Sequence, residues 1–176
     1  MMDAIIALDS YDDIFDDFDP QAYIERNISA DFLDALGNRM KKVNLRERAG
    51  IILTLPYYKR VIKDERIIKE RLSEYFWNMA RYWTEKESDV MNYSLGMMLA
   101  GLVIFTIGQF IIHNYAQFFD EFIVIPAWFL TFSGLDKYLV ERPKITSKRR
   151  FYEALSGAKV SFTDEACFTD ATGSRE

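Results

Sequence analysis

The sequence predicts a membrane α-helical hairpin joined to a small cytoplasmic α/β (α+β) module that is formed from both flanks of the hairpin. Two observations lead to this fold class. Residues 90–119 are thirty consecutive positions without Asp, Glu, Lys or Arg, whereas a helix crosses the ~30 Å hydrocarbon layer with roughly 20 apolar residues. Strand-like segments lie on both sides of this run, at residues 49–55 and 158–163. The composition, 49% hydrophobic and 28% charged, excludes a wholly disordered chain.

Residues 1–26 are predicted to be an acidic arm. Residues 1–19 contain seven Asp and no basic residue, interleaved with apolar side chains, which is typical of a segment that becomes ordered on a partner. An EF-hand calcium loop is not indicated, because the glycine of its turn and its closing Glu are missing. The residues that we expect to contact a partner protein are Asp12, Asp13, Phe15, Asp16, Asp17 and Phe18.

Residues 27–60 and 145–163 are predicted to form the small cytoplasmic module. Ser29 suits the N-cap of a short helix that reaches Met40, since a serine side chain can accept a bond from the first turn. A second helix is expected over about residues 147–156, where Gly157 ends it.

Two segments of this module have the pattern of strands. Residues 49–55 are short, apolar and β-branched and are stopped by Pro56, and residues 158–163 alternate as a half-buried strand does. Two strands alone are marginally stable, so either a third strand, at residues 4–8, or cover by helices is needed.

Residues 61–91 are predicted to be a cytoplasmic helix that continues into the first membrane span. No Gly or Pro occurs from Val61 until Gly96. Apolar residues recur at alternating spacings of four and three, as in a coiled-coil seam or a helix packed on a neighbour: Ile68, Leu72, Tyr75, Met79 and Tyr82.

The hairpin is predicted over residues 92–140, with spans at 92–112 and 122–140 and a tight turn between them. The second apolar stretch becomes long enough only if Lys137 extends to the lipid headgroups near the end of the helix. The alternative for both stretches is a buried helix of a soluble α-helical protein. Residues 164–176, which include the single cysteine, are polar and are expected to be disordered.

The basic residues predict the orientation. Lys and Arg flank the outer ends of the two spans, whereas the turn has none and carries Asp120 and Glu121. Because basic residues concentrate in cytoplasmic loops, we expect a multi-pass inner-membrane protein with both termini in the cytoplasm.

Small residues recur along the first span and predict a close helix contact. Ser94, Gly101 and Gly108 are spaced by seven residues, and Gly96 with Ala100 forms a small-xxx-small pair. This face either packs against the second span of the same chain or joins copies of the chain in an oligomer.

Charged residues near the second span suggest interfacial roles. Asp136 and Lys137 are interpreted as an ion pair at the headgroups, with a proton or ion relay as the alternative. The residues expected to contact anionic lipid headgroups are Lys144, Lys148, Arg149 and Arg150.

The sequence offers little reactive chemistry. It contains one histidine and one cysteine, and it lacks the motifs of nucleophilic hydrolases, P-loop proteins and zinc proteases. We therefore expect no catalytic residue, no cofactor and no metal. The net charge of −5 and the missing recognition motifs give no support to nucleic-acid binding.

The order of these elements resembles that of a group of prokaryotic two-span membrane proteins that have no assigned activity. The matching pieces are ISADFLDAL (residues 28–36), GIILTLP (50–56), EYFWNMARYW (74–83), DEFIVIPAWFLTFSGLDKYLV (120–140) and SKRRFYEALSGAKVSF (147–162). The acidic N-terminal arm departs from the pattern. The resemblance implies architecture alone.

The expected function is that of a non-catalytic integral membrane anchor or scaffold subunit, which binds other proteins through its cytoplasmic module and acidic arm. Its partners would be other proteins of a membrane complex, further copies of itself, and anionic lipids. A homo-oligomeric pore or effector is the alternative, followed by a membrane-embedded enzyme.

Overall fold

The computed structural model describes residues 3–40, 50–115 and 120–164. Within these ranges lie three strands and four α-helices, in the order β1 (Ala4–Ala7), α1 (Ala30–Met40), β2 (Gly50–Leu55), α2 (Ile62–Tyr115), α3 (Asp120–Asp136), α4 (Arg142–Ser156) and β3 (Lys159–Asp164). The chain divides into two compact units. We call residues 1–80 with 151–176 the α/β unit, and residues 81–150 the hairpin unit.

The three strands form a parallel sheet with β2 in the centre. Ile51 of β2 is paired with Ala4 of β1 and with Val160 of β3. Parallel neighbours need long crossover connections; the first contains α1 and the second contains the whole hairpin unit. The prediction of a small sheet built from both flanks, with a third strand near residues 4–8, is confirmed.

The core of the α/β unit lies between the sheet and its helices. Leu36 of α1, Leu72 of α2 and Leu155 of α4 pack with the strand residues Ile51 and Leu53, and all five are fully or almost fully buried. α1 begins directly after Ser29, as the capping preference of serine predicts. The seam predicted on the long helix contributes Ile68 and Leu72 to this core.

The N-terminal segment differs from the predicted arm. A single-turn 3₁₀ helix, Tyr11–Ile14, follows β1, and both of its terminal residues are buried. Phe15 is also buried and stacks on Tyr23. The reason is physical: a three-stranded sheet has large apolar faces, and the side chains nearest in sequence cover them.

The predicted cytoplasmic helix at residues 61–91 is shared between the two units. α2 is one continuous helix of 54 residues, so the predicted continuity is confirmed. Its residues up to Ala80 belong to the α/β unit, and those from Arg81 onward belong to the hairpin unit.

The return helix is longer than predicted. α3 passes through a π-helical turn, Lys137–Glu141, directly into α4, so helix replaces the expected break between the second span and residue 147. The N–H of Arg142 donates to the carbonyl of Lys137, five residues earlier. The following residue, Pro143, has no N–H to donate, and the helix departs from α geometry where that bond is lost.

The predicted turn at residues 113–121 is also shorter, since α2 extends to Tyr115 and α3 begins at Asp120. The connection between them, and the predicted disordered tail after Asp164, lie outside the described residues. Two helical stretches, Ile62–Phe110 and Phe122–Ser156, are long and apolar enough to cross a membrane, and only 11% of the apolar window of each is buried.

Candidate membrane-interface site

Glycine residues bring α2 and α3 into close contact within the hairpin unit. A Cβ atom placed on Gly101 would lie 2.6 Å from the carbonyl oxygen of Ala127, and one on Gly108 would overlap the side chain of Ile123. On the opposite helix, a Cβ on Gly134 would lie 2.7 Å from the carbonyl oxygen of Ser94. Hydrogen in place of a side chain is what permits these backbones to approach.

The predicted small residues therefore fall on two faces of α2. Ser94, Gly101 and Gly108 face α3, where Ser94 is fully buried. Gly96 and Ala100 are exposed, and nothing lies within 4 Å of a Cβ placed on Gly96. The structure thus puts the first set in the helix contact of the same chain and leaves the second set open.

Most large apolar side chains of the hairpin unit are exposed. On α2, Leu102 is 59% exposed and Phe110 is 71% exposed; on α3, Trp128 and Phe129 are exposed to a similar extent. Contiguous apolar surface of this size is rare on soluble monomers and marks contact with lipid or with another protein.

Two threonine hydroxyl groups of the hairpin unit donate to the backbone of their own helices. Thr106 donates to the carbonyl of Leu102 at 2.7 Å, and Thr131 donates to the carbonyl of Ala127 at 2.9 Å. Each bond returns one turn along its own helix, so neither hydroxyl is directed at a common polar centre.

Charged and aromatic residues of the hairpin unit gather beyond the apolar stretches, at residues 82–93 of α2 and 137–150 of the return helix. We call these two segments the charged collar. Glu87, 8% exposed, lies at its centre: its carboxylate is 3.0 Å from Nε of Arg149 and 3.6 Å from Nε of Arg142. Thr146 donates to the same carboxylate at 2.8 Å.

These contacts make Glu87 the electrostatic centre of the collar. Both arginines approach this carboxylate with Nε, Arg149 more closely than Arg142. Two guanidinium groups on one buried carboxylate offset its desolvation, because an isolated buried carboxylate is very costly.

Aromatic rings contact several cations of the collar. The ammonium nitrogens of Lys86 and Lys148 lie 5.1 Å and 4.6 Å from the centre of the Trp83 ring. Arg142 stacks on Tyr138 and also donates to its hydroxyl at 2.7 Å.

The structure gives two of the predicted interfacial residues partners within the protein. Lys137 pairs with Glu141 at 3.8 Å, one turn away, rather than with its neighbour Asp136, because side chains four residues apart share a helix face and adjacent ones do not. Arg149 is directed at Glu87, whereas Lys144, Lys148 and Arg150 are exposed.

Sequence reasoning missed Glu87 as a member of this site. A signal was present: Arg142, Thr146 and Arg149 are spaced by four and three residues and share one face of α4. A carboxylate partner for that face had to come from another element.

The acidic segment of the α/β unit is ordered by its own carboxylates. Asp13 accepts bonds from the N–H groups of Asp9 and Ser10, and Asp12 pairs with Arg26. Asp19 accepts one bond from the backbone N–H of Asn27 and one from its side-chain amide. The bond from the backbone N–H lowers the pKa of Asp19 below its usual value.

This folded segment exposes part of the predicted docking set and buries the rest. Phe18 is 95% exposed, and its neighbours Asp16 and Asp17 are exposed as well, whereas Phe15 is in the core. An open cleft of about 480 Å³ lies close by, lined by Asp12, Gln21, Ala22, Tyr23, Ile24, Arg26, Asp64 and Ile67.

The carboxyl ends of the strands carry a further ionic network. Arg60 donates to Glu65 from Nε at 2.7 Å and from Nη2 at 3.2 Å, and to Asp164 from Nη1 at 2.6 Å. These bonds raise the pKa of Arg60. Ligands of parallel sheets commonly bind at the carboxyl ends of the strands. Here the side chains of Arg60, Glu65 and Asp164 lie at those ends and bind one another.

The described ranges contain no group of three or more His, Cys, Asp or Glu that could hold a metal ion. Comparison of the chain with protein-family models, with curated proteins and with solved structures finds no match. Fold and site together define a small parallel α/β unit whose second crossover contains a pair of long apolar helices.

Proposed function

We propose that this chain is a two-span integral protein of the inner membrane, with both termini in the cytoplasm, and that it anchors its α/β unit there as a non-catalytic scaffold for other proteins. The observation that carries the membrane part is the 11% burial of both apolar windows. Core helices of soluble proteins are mostly buried, so these helices need another apolar environment.

The energy involved favours lipid over water. Covering one large apolar side chain contributes about 1.5–3 kcal/mol, and more than a dozen such side chains are exposed on α2 and α3. Their combined exposure to water would cost on the order of tens of kcal/mol, more than the stability of a typical domain. Lipid chains remove this cost.

The charged collar fits the headgroup region of such a membrane. Trp83, Tyr93 and Tyr138 are interfacial residue types, and each carries a basic side chain against its ring. Because basic residues favour the cytoplasmic side, the collar supports a cytoplasmic location for the ends of the hairpin.

The scaffold part of the proposal is supported by the surface around Phe18. A fully exposed phenylalanine between acidic residues is suited to a partner that has an apolar pocket with a basic rim. We infer that the ordered acidic segment presents Phe18, Asp16 and Asp17 to such a protein.

Membrane fractionation tests the anchor. Alkaline carbonate should leave the full-length chain in the membrane pellet, and a nonionic detergent should release it. A chain that appears in the supernatant after carbonate treatment would contradict the proposal.

Co-purification tests the scaffold. A tagged chain extracted in detergent should retain partner proteins that Phe18→Ser releases, while Tyr57→Ser, at another exposed aromatic of the α/β unit, retains them. Unchanged partner recovery with Phe18→Ser would exclude this surface.

Self-association into a homo-oligomer is the second candidate, because the face with Gly96 and Ala100 is open. A water-filled pore or a membrane-embedded enzyme gains less support, since Thr106 and Thr131 donate to their own helices. Cross-linking in native membranes would detect an oligomer, and liposome leakage would detect a pore.

A further inference from the structure

We propose that Lys86 and Lys148, held against Trp83, bind the phosphate of an anionic phospholipid headgroup. This inference rests on the proposed membrane location of the hairpin unit. It goes further by selecting two lysines from different helices, one of them outside the basic run of α4, as a defined lipid site.

Charge is unevenly compensated in the collar. Arg142 and Arg149 share the carboxylate of Glu87, so one of their two positive charges is compensated by it. Among the described residues, no carboxylate forms an ion pair with Lys86 or Lys148, and both side chains are exposed. Like the exposed Lys144 and Arg150, the two lysines therefore remain available to an external anion.

The two ammonium groups are already positioned before a phosphate binds. A lysine on a helix surface has a long, mobile side chain, and ordering it on binding reduces affinity. Here both ammonium groups already rest against one indole ring, at 5.1 Å and 4.6 Å from its centre. Cation–π contact holds both charges at this ring without neutralising either.

Trp83 contributes an unsatisfied donor. The indole N–H of Trp83 is buried and has no acceptor among the described residues. Buried donors without a partner are uncommon, and each calls for an explanation. Because this N–H is buried, a phosphate oxygen would become its acceptor only when neighbouring side chains move aside on binding.

The position of the two lysines favours a lipid headgroup over a soluble anion as the ligand. The site is on α2 and α4 just beyond the apolar stretches, where headgroup phosphates would lie if the helices cross a membrane. Lys144, one turn before Lys148 and also exposed, adds positive charge there. A surface lysine contributes about 1 kcal/mol to the attraction of anionic lipid, which is about fivefold in affinity.

The test uses the full-length chain in neutral detergent, titrated with short-chain phosphatidylglycerol, with phosphatidylcholine and with inorganic phosphate. The readout is the thermal unfolding midpoint as a function of additive concentration. Phosphatidylglycerol should raise the midpoint saturably, and the double variant Lys86→Gln, Lys148→Gln should weaken its apparent affinity about 25-fold. The single variant Lys148→Gln should weaken it about fivefold.

A control variant, Lys63→Gln, Lys159→Gln, removes the same net charge from exposed positions of the α/β unit and should retain wild-type lipid affinity. An equal loss in both double variants would overturn the proposal in favour of unspecific attraction. An equal response to phosphatidylcholine, or to inorganic phosphate, would also overturn it. The midpoints without additive show whether each variant folds.

Carbonate extraction of the same variants separates this test from that of the proposed function. If the wild-type chain remains in the membrane but its response to phosphatidylglycerol is unchanged in Lys86→Gln, Lys148→Gln, the lipid site alone is wrong. If the wild-type chain leaves the membrane, the membrane location itself fails.

Discussion

Residues of the same type are buried in one unit and exposed in the other. Leu72 and Leu102 lie on one helix, α2, yet Leu72 is fully buried in the α/β unit and Leu102 is 59% exposed in the hairpin unit. In the first unit apolar side chains are covered by a sheet and three helices. In the second, glycines bring two helices together and leave the remaining apolar surface open.

The difference is the one that a membrane location of the hairpin unit would produce. Water drives the apolar side chains of the α/β unit into a core. Lipid would exert no such force between helices, so close backbone packing would have to hold the hairpin. Matched substitutions in the two units should therefore differ in their effect on stability.

The largest effect is expected from Leu72→Ala compared with Leu102→Ala. Loss of a buried leucine side chain leaves a cavity and costs about 2–5 kcal/mol. The same change at Leu102 should cost less than about 0.5 kcal/mol in detergent, because the detergent fills the space. Denaturant unfolding of both variants in the same micelles measures the contrast, and similar losses would show that α2 is equally covered along its length.

The next effect is expected at the helix contact. Gly101→Leu should destabilise the hairpin by about 1–3 kcal/mol or more, since the new side chain meets the backbone of Ala127 and Thr131. The new side chain of Gly96→Leu would enter open space, so this substitution should leave the stability nearly unchanged. The thermal midpoint in detergent and a distance measured between labels on α2 and α3 check both, and a neutral Gly101→Leu would disprove the contact.

A smaller effect is expected in the collar. Glu87→Gln leaves Arg142 and Arg149 without their carboxylate and should cost about 1–2 kcal/mol, less than for a fully buried pair because both arginines are about one-third exposed. Glu85→Gln, which breaks an exposed pair with Arg81, should change stability by less than about 0.5 kcal/mol. Equal effects at the two positions would remove Glu87 from the centre of the collar.

The smallest effect is expected in alkaline solution. Burial raises the pKa of Tyr152 to about 12 and also raises that of Tyr75. Between pH 10 and pH 12 the unfolded chain loses the Tyr152 proton and the folded chain retains most of it, so the stability of the α/β unit should fall as pH rises. Tyr152→Phe should flatten this slope, measured as the unfolding midpoint from pH 9 to pH 12, whereas Tyr57→Phe at an exposed tyrosine should not.

Local patterns predicted most of the architecture. The capping position of Ser29, the β-branched run at residues 50–55 and the uncharged run of α2 each reflect a physical preference of a few consecutive residues. The order of the acidic segment could not be predicted from its composition, because its many Asp residues conceal the apolar positions Tyr11, Ile14 and Phe15, which are buried only once the sheet has formed.

The charged collar could be predicted in part. The basic run of α4 is visible in the sequence, but its division into paired arginines and available lysines depends on Glu87, which is more than fifty residues earlier in the chain. Which cations remain available depends on tertiary packing, and no local pattern contains that information.

The environment of the exposed apolar side chains decides whether the hairpin unit lies in a membrane, and spin labels can measure it. Cys167, the single cysteine, is replaced by Ser, and spin labels are attached at Leu102→Cys, Phe129→Cys and, as a water-exposed reference, Tyr57→Cys in lipid vesicles. We expect oxygen to reach the labels at positions 102 and 129 while a water-soluble nickel complex does not, and the reverse at position 57. Equal access of the nickel complex to all three labels would contradict a membrane location.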